Sequence, residues 1–216
     1  MKLKSEGKCK YCQQKFEGIS IARHLAACSN RIKNNSRSGN QKILLINAGL
    51  GPFWIYFEAN ASDTLSKVDD FLRELWLECC GHLSTFGVNG VNYSSGGMED
   101  SEDEGMDIAI GKILMPGTNF AHEYDFGTTT TLRLKCLSER NGNKLKKIEI
   151  IARNEIPDFK CKCGKAARDV CSQCAFEIGT DALMCTQCSK KHKCGEEMVL
   201  PVVNSPRMGM CGYTGD

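Results

Sequence analysis

Seven cysteines and one histidine fall within the 34 residues from Cys161 to Cys194. They come as pairs: Cys161/Cys163, Cys171/Cys174, Cys185/Cys188 and His192/Cys194, with Cys211 further on. Thiolate and imidazole at such spacing are the donors that zinc takes in a tetrahedral site. Four pairs in series are the pattern of a cross-brace module, in which pairs one and three share one ion and pairs two and four share another. Cys161, Cys163, Cys185 and Cys188 are therefore expected on one zinc. Cys171, Cys174 and His192 are expected on a second, with either Cys194 or Cys211 as its fourth ligand. A redox role for CSQC and CTQC is the weaker reading, because a thioredoxin-like CxxC opens a helix after a strand in a βαβ unit. Ligand sets filled by protein leave no position for a metal-bound water, so these zincs are expected to be structural rather than catalytic.

A second constellation lies at the other end. Cys9 and Cys12 are followed by His24 and Cys28, a C2HC spacing with the last two donors on one face of a helix expected over 19–29. Phe16 and Ile21 stand where a small ββα zinc finger keeps its apolar core. The expected complement is about three zinc ions. Lys8, Lys10, Lys15, Arg23, Arg31, Lys33 and Arg37 surround the finger and are candidate phosphate contacts. A lone finger reads only about three base pairs, so nucleic-acid contact, protein contact and a purely structural role all stay open.

These donors have to be positioned by the rest of the chain. At 216 residues it can bury one sizeable core and still carry smaller modules. Charge is unevenly spread: residues 1–42 hold ten basic against two acidic residues, a net of +8, and residues 43–156 hold ten against seventeen, a net of −7. A basic arm ahead of an acidic domain suggests an anionic partner, or simply a solvated N-terminus. The start, MKLKSEGKCK, has no apolar core of a signal peptide, and no run reaches the length of a membrane span. Clustered cysteines without export point to metal binding in a reducing compartment, and a cytoplasmic location is expected.

The fold class expected is α+β: a mostly antiparallel sheet with one long helix, flanked by the N-terminal finger and the C-terminal cross-brace. Boundaries fall at 1–30 for the finger, 31–41 for a basic linker, 42–156 for the central domain and 157–216 for the cysteine-rich module. KILLINA and FWIYFEA read as strands joined by a turn at Gly49–Pro52. Ser62 or Asp63 caps a helix with apolar positions Leu65, Val68, Leu72, Leu75, Trp76 and Cys79, stopped by Gly81. Further strands are read in HLSTFGVNGVNY, FAHEYDF, TTTTLRLKCL and KLKKIEIIA, and Ser94–Gly105 is an acidic surface loop.

Trp54 after Pro52, Thr64–Leu65, His82–Leu83 with Phe86, and Tyr124–Asp125–Phe126–Gly127 together resemble the plasmid-pRiA ORF-three-like family. The tail LPVVNSPRMGMCGYTG is similar to that of its zinc-bearing subset, so the resemblance spans nearly the whole chain. It implies an α+β fold, a prokaryotic source and association with mobile elements, under a resolvase-like label. Thr128–Thr131 depart from the acidic and aromatic residues that often follow YDFG there. No serine among arginines supports a recombinase, and P-loop, HExxH and GxSxG motifs are absent.

Two further constellations hold residues capable of chemistry. His82 with Glu123 or Asp125 could form an acid–base pair, against packing at a corner and an Asp125–Gly127 turn. Cys79–Cys80 with His82 could bind metal, but Cys79 falls on the buried helix stripe, so core packing is expected. The resulting reading is a non-enzymatic, multi-zinc binding protein that contacts nucleic acid through the finger and a protein partner through the rest. No membrane and no small-molecule substrate are expected. An enzyme at the central domain is the rival, and a transposition accessory protein is the third reading.

Overall fold

The computed structural model describes residues 3–35, 39–96, 103–177 and 182–215, and leaves aside the side chains of 19, 34 and 35. The elements run β1 (Glu6–Cys9), β2 (Lys15–Glu17), α1 (Gly18–Ala27), α2 (Ser29–Asn35), β3 (Gln41–Leu50), β4 (Phe53–Asn60) and α3 (Leu65–Leu72). They continue as β5 (Ser84–Val88), β6 (Val91–Ser94), β7 (Glu104–Gly105), α4 (Ile110–Ile113), β8 (Asn119–Tyr124), β9 (Thr130–Gly142) and β10 (Glu149–Asn154). The C-terminal part adds β11 (Asp169–Cys171), α5 (Ser172–Glu177), β12 (Leu183–Met184), α6 (Thr186–Ser189) and β13 (Val199–Pro201). The fold is α+β. Strands β1 to β10 form one sheet in the order β2-β1-β10-β4-β3-β9-β8-β5-β6-β7, antiparallel except for β6 beside β7. A small sheet, β12-β11-β13, lies in the C-terminal part. Among the described residues no helix is long and apolar enough to cross a membrane.

Strand β4 explains the layering. Its sequence FWIYFEAN does not alternate apolar with polar, and all eight residues are buried, as in a strand covered on both faces. Ile55, Phe57 and Ala59 share one core with Leu65, Val68, Leu72 and Trp76 of the helical segment. Trp54 and Tyr56 point to the other face, where Leu45 and Ile151 join Ile21 and Leu25 of α1.

The expected free-standing finger is therefore part of the main sheet. A strand pair and a helix do occupy 6–27, but β1 also pairs with β10, Gly7 opposite Asn154 and Cys9 opposite Ala152. Gly7 has no room for a Cβ, which would lie 2.1 Å from the Arg153 carbonyl oxygen. The expected linker is likewise structured in part, because α2 runs through it. Arg31 on α2 is buried and donates to Glu58 Oε1 at 2.8 Å. Arg140 donates to both oxygens of the same carboxylate. Two guanidinium groups thus satisfy one buried anion.

The helix over the first face is shorter than expected. Thr64, not Ser62 or Asp63, is its cap, accepting from the Lys67 N–H at 3.2 Å. After Leu72 the turn widens to π geometry over Arg73–Leu77, and both Trp76 and Leu77 are buried there. The wider turn is what lets two consecutive large residues enter the core. Helix α1, with ten residues, is longer than α3. Of the acidic loop, residues 97–102 lie outside the described residues; Asp103 accepts from the Ser94 hydroxyl, and Glu104 enters β7.

Burial alone pushes the Glu58 pKa up, yet the hydrogen bonds and charges of Arg140 and Arg31 outweigh it and hold the carboxyl below the usual glutamate value. A carboxyl whose pKa is lowered on folding stabilises the fold above its unfolded pKa, and that stability is lost as pH falls through the folded value. Glu58→Ala leaves the arginines facing a buried void and is expected to lower unfolding free energy by about 3–5 kcal/mol at pH 7. In urea titrations of zinc-replete protein, the deficit of Glu58→Gln relative to wild type should be full at neutral pH. It should shrink only below about pH 4.3, the ordinary glutamate value.

Candidate metal centres

Four groups of cysteine and histidine bring their donor atoms within 4.8 Å of one another. They are Cys9/Cys12/His24/Cys28, Cys161/Cys163/Cys185/Cys188, Cys171/Cys174/His192/Cys194 and Cys79/Cys80/His82/Cys211. The chain has fourteen cysteines and four histidines, and sixteen of these eighteen residues fall into the four sets. The two left over, Cys136 and His122, are both fully buried. His122 Nε2 lies 2.6 Å from Asp69 Oδ1, so it links β8 to α3 inside the core.

In the first group, Cys9 ends β1, Cys12 follows in the turn, and His24 and Cys28 lie on and just past α1. The hairpin folds so because the Cys9 N–H donates to the Gln14 carbonyl and the Gln13 N–H to the Cys9 carbonyl. Cys12 Sγ is 3.3 Å from His24 Nε2, and Phe16 stacks on the imidazole at 4.0 Å between ring centroids. Cys9 and Cys28 are buried in the apolar layer with Ile21, Leu25 and Trp54. This group is thus part of the packing of the finger onto the sheet.

The C-terminal donors are brought together in crossed pairs. Cys161 and Cys163 sit in a turn closed by the Lys160–Ala166 bridge and meet Cys185, the residue before α6, and Cys188 within it. Cys163 Sγ and Cys185 Sγ are 3.7 Å apart. Cys171 at the end of β11 and Cys174 on α5 meet His192 and Cys194; Cys174 Sγ is 3.5 Å from His192 Nε2 and 3.8 Å from Cys194 Sγ. The N–H groups of Cys163 and Cys185 hold the Cys161 thiol down at about 6. Hydrogen bonds with Cys161 and Cys185 push Cys188 up to about 12. Thiols this close deprotonate together only against a cation, which is the condition for a metal site.

The fourth group decides between the two candidates for the fourth ligand and adds a role for Cys79. Cys211 joins Cys80 and His82 rather than Cys171 and Cys174, and it is Cys194 that completes the latter set. Cys79 is half-buried and packs against the core, as expected, but its thiol also stands in this group. Glu78 leaves helical geometry at φ −63° and ψ 123°, so the residues after it lose the helical phase. Gly81, at φ +77°, then turns the chain back. Cys80 Sγ lies 3.6 Å from both Cys79 Sγ and Cys211 Sγ, and His82 Nε2 lies 3.0 Å and 3.4 Å from Cys80 and Cys211.

The YDFG residues organise this loop. The Tyr124 hydroxyl receives the N–H groups of Cys79 and His82, each at 3.4 Å, and donates to Glu78 Oε1 at 3.1 Å. Burial pushes the Tyr124 pKa up to about 12. Asp125, at φ +65°, accepts from the Gly127 N–H, the Thr128 hydroxyl and Arg207. Burial pushes this carboxyl up, but Arg207 first and then Thr128 and Gly127 hold it well below the usual range. Arg207 is fully buried and also donates to the Thr128 carbonyl at 2.6 Å, with Cys79 Sγ at 3.6 Å. Of the acid–base rim, His82 and Asp125 come together, Nε2 3.6 Å from Oδ2, with His82 also among thiols and Asp125 held by Arg207, while Glu123 lies on the opposite face of β8 from Tyr124. A CCxH run with an unpaired downstream cysteine was the signal that could have revealed this group.

The basic residues around the finger are mostly engaged within the chain. Lys8 and Lys15 pair with Glu155 at 3.1 and 2.5 Å, Lys10 with Glu149 at 2.6 Å, and Arg31 with Glu58. Arg23 and Lys33 are exposed, and Arg37 lies outside the described residues.

No protein-family model matches the chain, and no curated protein matches it. Among solved structures, the crystal structure of a protein of unknown function, MM3350 from Methanosarcina mazei Go1, is 14% identical with a TM-score of 0.42. The match covers 52% of this chain and 68% of that chain.

Trp54 reports on the first group, because its indole lies within 2.9 Å of where a Gly18 Cβ would stand. Cys12→Ser removes one donor at a half-buried position, with little change of side-chain size. It is expected to loosen α1 from the sheet and red-shift tryptophan emission, whereas Cys136→Ala leaves the emission maximum unchanged.

Proposed function

We propose that the chain is a non-enzymatic, zinc-built binding protein whose four centres are structural and whose partner is another protein. The division of sixteen Cys and His residues into four sets of four carries the metal reading. Zinc–sulfur bonds of about 2.3 Å give a tetrahedral sulfur–sulfur edge of about 3.8 Å, and a sulfur–nitrogen edge near 3.5 Å. The sulfur pairs stand 3.6 to 3.8 Å apart, far beyond the ~2.05 Å of a disulfide. Mixed imidazole and thiolate sets favour zinc over hard cations. Four protein donors per centre leave no open coordination position, the arrangement of structural zinc.

The protein-partner reading rests on charge. Four of the seven basic residues that the sequence offers to phosphate already face carboxylates of the same chain. An exposed aromatic, Phe176 at 84% exposure on α5, offers the kind of side chain on which protein interfaces anchor.

Native mass spectrometry of zinc-replete full-length protein is expected to show four zinc ions per chain, and strong chelation to unfold it. Retention of native circular dichroism and tryptophan emission after complete demetallation would overturn the structural role. Fluorescence anisotropy with mixed-sequence DNA and RNA at low salt is expected to show no binding. Micromolar binding that falls steeply with salt and is lost in Arg23→Ala would reverse the choice of partner.

A further inference from the structure

We infer that the Cys79–Cys80–His82–Cys211 centre is an exchangeable zinc clasp that pins the C-terminal strap, residues 202–215, across the central domain. This rests on the zinc reading above and goes beyond it by giving one centre a separate role. Its ligands come from two places far apart in sequence: the loop after α3 supplies three donors, and Cys211, 131 residues beyond Cys80, supplies the fourth. Each of the other groups includes at least one buried ligand residue, whereas here two are half-buried and two exposed. Zinc-bound thiolates that solvent and chelators can reach are those that exchange.

Between the small sheet and the clasp, the strap crosses the main domain through hydrogen bonds, the buried Arg207–Asp125 ion pair and the packing of Val202 and Met208 against the core. Asn204 exchanges bonds with Asn154, the Ser205 hydroxyl donates to the Trp76 carbonyl at 2.6 Å, and Arg207 binds Asp125 and the Thr128 carbonyl. Arg207 reaches both ends of the arrangement, since the guanidinium that holds the strap also lies beside Cys79 Sγ. Loss of the ion therefore releases Cys211 from the loop after α3, while the finger and the crossed pairs keep their own donors. The consequence is local opening of the strap without global unfolding.

Trypsin reads this directly, because Arg207 is fully buried and is cut only when the strap lifts. Zinc-loaded full-length protein is treated with limiting chelator, and released zinc, tryptophan emission and cleavage after Arg207 are followed together. The first equivalent is expected to leave before any emission change, with cleavage after Arg207 accelerated roughly tenfold or more. Cys211→Ser, an exposed substitution, is expected to bind one equivalent fewer, to lack that first release phase and to be cut at the accelerated rate from the start. Cobalt(II) titration of wild type, read by thiolate charge transfer, gives the same count without any variant. The inference is overturned if Cys211→Ser binds as many ions as wild type, or if the first equivalent leaves with the strap still resistant. A wild-type chain that binds no zinc at all would instead defeat the broader reading.

Discussion

Every side chain of β4 from Phe53 to Asn60 is buried, Glu58 and Asn60 included, so the sheet has no free face at its centre. One face is closed by the helical segment 65–77 through Leu65, Val68, Leu72 and Trp76. The other has to be closed by something only a few turns long. Helix α1 does this with Ile21 and Leu25, each worth about 1.5–3 kcal/mol of burial. That is too little to order a segment of some 25 residues against the entropy of its backbone. The buried Arg31–Glu58 pair, and the metal proposed for Cys9, Cys12, His24 and Cys28, would supply what the apolar contact lacks. Seen this way, the finger is a lid on the sheet, and its two buried cysteines belong as much to the core as to the site.

The same constraint accounts for the charge pattern. A carboxylate on β4 can be buried only with full compensation, and it takes Arg31 from one side and Arg140 from β9 on the other. Around it, Lys8, Lys10 and Lys15 meet Glu149 and Glu155 on the neighbouring edge. Exposed pairs of this kind are each worth at most about 1 kcal/mol, yet together they favour one docking of the arm over others. The +8 segment and the −7 segment are complementary to each other before they are complementary to any partner.

Many of the strands, though not their order in the sheet, were open to inference from sequence, because strand periodicity and turn residues are local signals. The set Cys161/Cys163/Cys185/Cys188 was legible in full, and Cys171/Cys174/His192 up to its fourth member, for a similar reason: their spacing is short, and crossed pairing follows from four pairs in series. Three things were not legible. Helical phase was extended through Cys79, whereas a π turn at Arg73–Leu77 and the extended Glu78 break it. Cys211 could not be assigned by spacing, because its partners lie 129 and 131 residues away. Arg31 sat in a polar, Ser- and Asn-rich stretch that reads as linker, and only the tertiary structure supplies the anion that buries it. Each omission is a long-range contact or a departure from regular geometry, which are the features a local pattern does not carry.

Tyr124 and Asp125 show how such a departure is stabilised. The hydroxyl of Tyr124 gathers the N–H groups of Cys79 and His82, and the Asp125 carboxylate fixes Arg207. Neither residue is a donor to the metal set, yet both determine where its donors stand, as outer partners of a metal site commonly do. A covalent link closing a loop of about 100 residues removes on the order of 4–5 kcal/mol of denatured-state entropy, and a ligand set spanning 131 residues acts in the same sense. Without it, the tail's hydrogen bonds, the Arg207–Asp125 pair and the packing of Val202 and Met208 are left to oppose the entropy of that segment. Placing the longest-range ligand set at the most exposed position therefore makes the attachment of the C-terminal strap, rather than the core of the protein, the part most responsive to the supply of metal.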